Sequence, residues 1–251
     1  MRPIIGSMWT SSGKGPRHEK YRELAQVWKW SARRTFHKNG TIICDEAPPI
    51  NMKTPCPSFG RGDRRVGPSK TLAWREKIRH WAEIVRYAPI GIPVLMSDID
   101  MGFFGNPFPE ILSNDFESFD VGYCSQCTGA VYFSGSPESH SFMDWWFLYT
   151  EELFRDPELY EVLDKEYLGL DQCSFQLAAR FGAHGAKIIT LPNRFHSTIR
   201  NHELPAYLFH FHGKMRGQVF GTVSMDDIPR PLRKYCRGWT AMLAKAERWK
   251  L

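Results

Sequence analysis

The chain repeats one pattern: a short apolar run, then a longer stretch whose apolar residues recur at every third or fourth position. Ile4 to Met8 is such a run, closed by a Ser/Gly/Lys loop, and from Arg17 onward Tyr21, Leu24, Ala25 and Trp28 share one helical face. Asn39-Gly40 makes a turn into a second apolar step, Thr41 to Cys44. Thr71 to Val85 is the clearest helix, with Trp74, Ile78, Trp81 and Val85 on one side, and it stops at Pro89. That Trp stripe reads as core rather than as a platform for a ligand. A third apolar run, Ile92 to Met96, follows. Fully apolar strands need cover on both faces, so the alternation predicts an α/β domain whose sheet lies beneath helices.

Composition agrees with a folded chain. Of 251 residues, 42% are hydrophobic and 14% aromatic, too many for a disordered segment, while 20 Gly and 17 Pro are too few for a collagenous or low-complexity one. A chain of this length buries roughly 70–75% of the surface it exposes when unfolded, enough to hold a core without disulfides. No apolar run approaches the ~20 residues that cross a bilayer, and Met1 to Ser7 lacks a secretory apolar segment. The expectation is a cytoplasmic protein with no membrane span. The cysteines at 44, 56, 124, 127, 173 and 236 are then reduced thiols. Cys124 and Cys127 have the interval of half a zinc site, but no second pair stands at finger spacing. Residues 121 to 133 read as a buried strand region, so packing is the expected role of both.

Residues 45 to 70 are rich in Pro and Gly and cannot form a regular element; their basic end, 61 to 70, is a solvated loop or a contact for an anionic ligand. The most informative junction comes after the third apolar run, which leads directly into Ser97-Asp98-Ile99-Asp100. In an extended chain the side chains at i and i+2 point the same way, so these carboxylates converge and repel unless they share a cation. Hard oxygen ligands suit Mg²⁺ or Mn²⁺, which also bind nucleotide phosphates. The carboxyl ends of strands in open α/β sheets are where ligands bind.

The segment VLMSDIDMGFFGNPFPEI, residues 94 to 111, resembles the strand, DxD and Asn-Pro turn of nucleotide-sugar-dependent glycosyltransferases with the GT-A fold. Three further segments appear in that family's order: Cys127 to Phe133 with an aromatic-bearing helix behind it, the Asp-Gln helix start Leu168 to Gln172, and the late HxxG motif in Leu208 to Lys214. The resemblance runs from Ile4 to about Lys214. It implies α/β architecture with a GT-A-like open mixed sheet flanked by helices in a single domain. Residues 1–214 would be the glycosyltransferase domain, with 1–105 as the nucleotide-binding half and 106–214 as the acceptor-side half. Residues 215–251 would be a C-terminal extension packed on it.

Site residues follow from the same resemblance. Asp98, Asp100 and His210 match the ligands of Mn²⁺ (or Mg²⁺) on the donor diphosphate, with Asp98 also a donor contact and His212 a rival for the histidine. Gly213 would admit phosphate close to the backbone, and Lys214 would neutralise the leaving diphosphate, although Arg216 competes for that role. Thr10, Tyr21 and Arg75 match donor-binding positions. Asp171 and Gln172 match residues at the transferred sugar, where they act in catalysis; the rival reading of Asp171 is a helix N-cap. No separate base is required, which favours retention. The implied reaction moves a sugar from a nucleotide-diphosphate sugar, a UDP-sugar by expectation, to a hydroxyl.

The acceptor is less legible. The net charge of +6 and basic segments at 61–70 and 230–237 fit a polyanion, and DNA with hydroxymethylated bases, the acceptor of small phage glycosyltransferases, is one such acceptor. A saccharide or glycolipid head group is the alternative. A nonenzymatic nucleic-acid-binding protein that stacks bases on aromatics is a reading of another class, and it leaves the ordered motifs without a purpose.

Overall fold

The computed structural model describes residues 2–10, 16–36, 38–47, 56, 67–113, 118–124, 127–156, 169–182 and 185–248. The basic segment 61–66 and Leu168 therefore lie outside the described residues. The chain order is β1 (Ile4–Trp9), α1 (Pro16–Phe36), β2 (Thr41–Glu46), α2 (Pro68–Tyr87), β3 (Val94–Ser97), β4 (Met101–Phe103), α3 (Phe108–Ile111), β5 (Val121–Cys124), β6 (Cys127–Phe133), α4 (Pro137–Arg155), α5 (Leu170–Leu177), β7 (Ile188–Thr190), β8 (Leu208–His210), α6 (Lys214–Val219) and α7 (Arg233–Arg248). The expected alternation is there, with α2 beginning at Pro68 rather than Thr71. Proline is well placed in a first helical turn, where its missing N–H costs no hydrogen bond.

Among the described residues one six-stranded sheet runs in the order β2-β1-β3-β6-β5-β7. It is mixed: β1 is parallel to β2 and β3, whereas β6 runs antiparallel to both β3 and β5. Side chains alternate across it. Ile5, Leu95 and Tyr132 point into one core with α1 and α7, while Met8, Val94, Met96, Val131 and Phe133 point into the other with α2, α4 and α5. Trp239 and Met242 fasten α7 to the first of these cores. A buried side chain of the size of Met242 contributes about 1.5–3 kcal/mol.

A second, two-stranded sheet pairs β4 with β8 in antiparallel register, placing Met101 opposite His210. This small ladder closes a chain segment of more than a hundred residues and sets the DxD beside the late histidine. Cys124 is a buried cysteine in the β5–β6 hairpin, with Sγ 3.3 Å from the Pro192 carbonyl, in keeping with a packing role. The side chain of Cys127 lies outside the described residues.

Candidate active site

A cleft of about 690 Å³ opens at the carboxyl end of β3. Thr10, Tyr21, Asp98, Asp100 and Asp171 line it, as do Gln172, His210 and Gly213. His212 and Arg216 join them. Thr10 follows the end of β1 and Tyr21 belongs to the first turns of α1, so these two form the wall at the edge nearest the first βα unit.

Asp98 and Asp100 converge for a different reason from the expected one. Residues 99 and 100 form a turn between β3 and β4 rather than a continuing strand. Strand alternation therefore does not align their carboxylates. Backbone pairing does: Asp98 N donates to Gly129 O at 2.7 Å, and Phe211 N donates to Asp100 O at 2.8 Å. His210 Nε2 is then 3.0 Å from Asp100 Oδ1 and 3.8 Å from Asp98 Oδ2. Ligand atoms from all three side chains lie within 4.8 Å of one another. Two carboxylates and one imidazole form a donor set suited to Mn²⁺ or Mg²⁺. Burial would raise the Asp100 carboxyl, but His210, by charge and hydrogen bond, and Arg216, 3.2 Å away, hold it well below the usual carboxylate range. Asp98 goes the other way, raised by burial despite Lys77 and His210.

Across the cleft a cation from α2 holds two acids. Lys77 Nζ donates to Asp171 Oδ2 at 2.5 Å and to Asp98 Oδ1 at 2.9 Å. Burial disfavours the ammonium, yet Asp171 and Asp98 outweigh it and raise Lys77 above the ordinary lysine value. Asp171 also receives Thr128 Oγ1 at 3.3 Å and the backbone N of Gln172 at 3.0 Å. The residue before the first turn of α5 is Gly169, so Asp171 is not its N-cap.

The structure separates two expected donor contacts from the cleft. Arg75 turns away from it, with Nε and Nη2 on Glu151 at 2.7 and 2.6 Å and its guanidinium 4.3 Å from the Phe154 ring centre. Lys77, two residues on, occupies the position expected of Arg75, because 100° per residue carries it to the opposite side of the helix. Lys214 is exposed at the start of α6 and outside the cleft wall, whereas Arg216 reaches in to Asp100. Gly213 has φ of +57°, the left-handed region that favours glycine, and its Cβ position faces open space. Trp74 departs from the expected core stripe: Ile78, Trp81 and Val85 are buried, but Trp74 lines the cleft with Lys70 stacked on it at 4.8 Å.

One further histidine escaped the sequence reading. His196 is 2% exposed, and its Nε2 is 3.1 Å from His210 Nδ1. Burial, reinforced by His210 and His212, lowers its basicity well below the ordinary histidine value. His212 is likewise pushed down to about 4 by burial and by His210.

A metal-capable acid and histidine cluster at the switch from parallel to antiparallel strands, with a buried Lys–Asp pair facing it, defines the class: a GT-A-like glycosyltransferase fold. The chain belongs to the nucleotide-diphospho-sugar transferase family, whose model matches residues 68–223. Comparison with curated proteins finds no match. Among solved structures the chain is similar to the apo form of the glycosyltransferase GlyE of Streptococcus pneumoniae TIGR4, with a TM-score of 0.54 and 11% identity over 99% of this chain. It spans 64% of GlyE's length. It is also similar to a glycosyltransferase involved in glycosylation of the major capsid of PBCV-1, with a TM-score of 0.53 and 10% identity, covering 86% of this chain and 96% of that one. Among the described residues no helix is long and apolar enough to cross a membrane.

Proposed function

We propose that the protein transfers a sugar from a nucleotide sugar, a UDP-sugar by expectation, to a hydroxyl acceptor with retention at the anomeric carbon. The observation that carries this reading is the convergence of Asp98, Asp100 and His210 on one wall of the cleft. These three would hold Mn²⁺ or Mg²⁺, and the cation would supply positive charge beside the departing nucleoside diphosphate. Thr10 and Tyr21 would receive the nucleotide. Arg216, whose guanidinium is 3.2 Å from Asp100, would bring positive charge to the diphosphate, Gly213 would leave room for it, and Lys214 would add charge at the rim. Lys77 replaces Arg75 as the donor-facing cation of α2. Asp171 is tied by Lys77, Thr128 and its neighbouring amide, which suits a fixed negative charge facing an oxocarbenium-like centre better than a mobile base. Gln172 offers amide groups to the sugar hydroxyls beside it.

The test is a panel of UDP-, GDP- and other activated sugars. Nucleoside diphosphate should be released only with Mn²⁺ or Mg²⁺ present. A panel with neither metal-dependent binding nor hydrolysis removes the enzyme assignment.

Hydroxymethylated DNA is the acceptor we assign. A second groove of about 340 Å³ between α1 and α7 contains Trp30 and Tyr235 with Arg34, Lys234 and Lys245, and no carboxylate among its described lining. Replacing Arg34, Lys234 and Lys245 together by Ser should weaken duplex binding and lower the slope of log K against log salt by about 2–3. Unchanged affinity and slope would turn the acceptor assignment to saccharides or glycolipid head groups.

A further inference from the structure

We propose that His196 is a positioning residue for His210, accepting the hydrogen bond from its Nδ1 that leaves the Nε2 lone pair facing Asp98 and Asp100. The proposal rests on the metal reading of that cluster. His210 presents Nε2 to the two carboxylates, and its other ring nitrogen has His196 Nε2 at 3.1 Å. A neutral imidazole carries one ring proton. When Nε2 serves as a ligand, that proton stands on Nδ1 and needs an acceptor, and the identity of that acceptor sets both tautomer and ring orientation. His196 supplies it from a fully buried position.

The local fold is built to hold the two rings together. Asn193–Phe195 form a short 3₁₀ turn just before His196, and Ser197 Oγ ties back to Asn193 O at 2.8 Å. Ser197 then pairs with β8, donating its N–H to Leu208 O at 3.0 Å and accepting His210 N–H at 2.8 Å. The two imidazoles lie 5.2 Å apart, centre to centre. Beneath them is Gly129, where an added Cβ would stand 2.8 Å from His196 Cε1 and 3.0 Å from His210 Cε1. Only glycine lets β6 pass this close. The far nitrogen of His196, Nδ1, is buried with no hydrogen-bond partner among the described residues. Among the described residues no group on that side fixes the His196 tautomer, which leaves it able to follow His210.

Two substitutions separate a positioning role for His196 from simple packing. His196→Phe keeps a ring of similar volume and removes the acceptor, whereas His196→Gln places an amide oxygen near the position of Nε2. Mn²⁺ affinity, read from the free-ion electron paramagnetic resonance signal without any sugar donor, should fall about 10- to 100-fold in His196→Phe and stay within about 5-fold of wild type in His196→Gln. A folded His196→Phe that binds Mn²⁺ as wild type, while Asp100→Asn does not, overturns the proposal. Equal losses in both His196 variants overturn it as well. If Asp100→Asn binds Mn²⁺ normally, the metal centre itself is wrong and this inference falls with it. Should His196→Phe not fold, ring ¹⁵N spectra of the Mg²⁺-loaded wild type decide: a proton on His210 Nδ1 supports the assignment, and a bare Nδ1 overturns it.

Discussion

Asp100→Asn is expected to abolish sugar transfer and to weaken Mn²⁺ binding by more than about 100-fold while leaving the protein folded. The expected loss exceeds that for an outer-sphere partner, about 10–100-fold, because the substitution changes a residue proposed as a direct ligand. An amide is a poor substitute for a carboxylate on a hard cation. The fold has less at stake. Asn keeps the shape of Asp and an oxygen to face His210, and the ion pair with Arg216 involves a side chain that is 39% exposed. Such a pair is worth at most about 1 kcal/mol. For a chain of this size that corresponds to a change in Tm of about 2–4 °C. Full activity of Asp100→Asn at saturating Mn²⁺ would sink the metal assignment.

Lys77→Met is expected to damage stability and transfer together. The substitution preserves most of the side-chain length and removes the one charge that Asp98 and Asp171 share. Side-chain exposures of 11% for Lys77 and 7% for Asp171 mark a buried pair, and 23% for Asp98 leaves that carboxylate some access to water. Breaking a buried pair costs ~3–5 kcal/mol, and the partial exposure of Asp98 favours the lower end. About 3 kcal/mol corresponds to a Tm lower by roughly 6–12 °C. Transfer should fall at least about 100-fold, since a charge aimed at the reacting centre is lost and Asp171 is no longer held.

The pH dependence of this variant has a defined sign. In the wild type the raised Lys77 value means that its contribution is fully present below the unfolded lysine value and is lost as pH rises through the folded one. At neutral pH, then, the variant lacks the whole of it. As pH falls toward 5, Asp98, already raised by burial and no longer opposed by Lys77, takes up a proton, so the gap between variant and wild type should narrow. Mn²⁺ should raise the Tm of Lys77→Met more than that of wild type, because a cation at Asp98 replaces part of the missing charge. Melting curves at pH 5 and 7.5, with and without Mn²⁺, check both statements. A variant with wild-type Tm and activity would show that Lys77 does not hold the acid pair.

Lys77 also shows what sequence periodicity hides. Counting three on from Trp74 and four back from Trp81 lands on Lys77, so it occupies the apolar stripe of α2. A lysine in that register is the mark of a buried, paired cation. The family resemblance pointed to Arg75 instead, whose partner proved to be Glu151 on α4. The opposite error befell Trp74, whose spacing is that of a core residue but which lies at the open end of the helix, where the cleft begins. His196 gave no signal of either kind: it stands in an irregular segment, and its role exists only through contact with a residue fourteen positions away.

The sequence by itself determined the layered α/β class, the strand leading to Asp98 and Asp100, and the residue types able to do metal and phosphate chemistry. Those follow from local causes, namely side-chain periodicity, turn chemistry and the ligand preferences of carboxylate and imidazole. Which cation faces the cleft and which histidine supports His210 were decided only by the tertiary structure. The contacts concerned join Lys77 to Asp171 across 94 positions and Asp100 to His210 across 110. Separations of that size are closed by the pairing of β4 with β8 and by the packing of α2 against α4 and α5, where burial removes water as the competing partner and makes each ion pair or hydrogen bond a requirement of the fold.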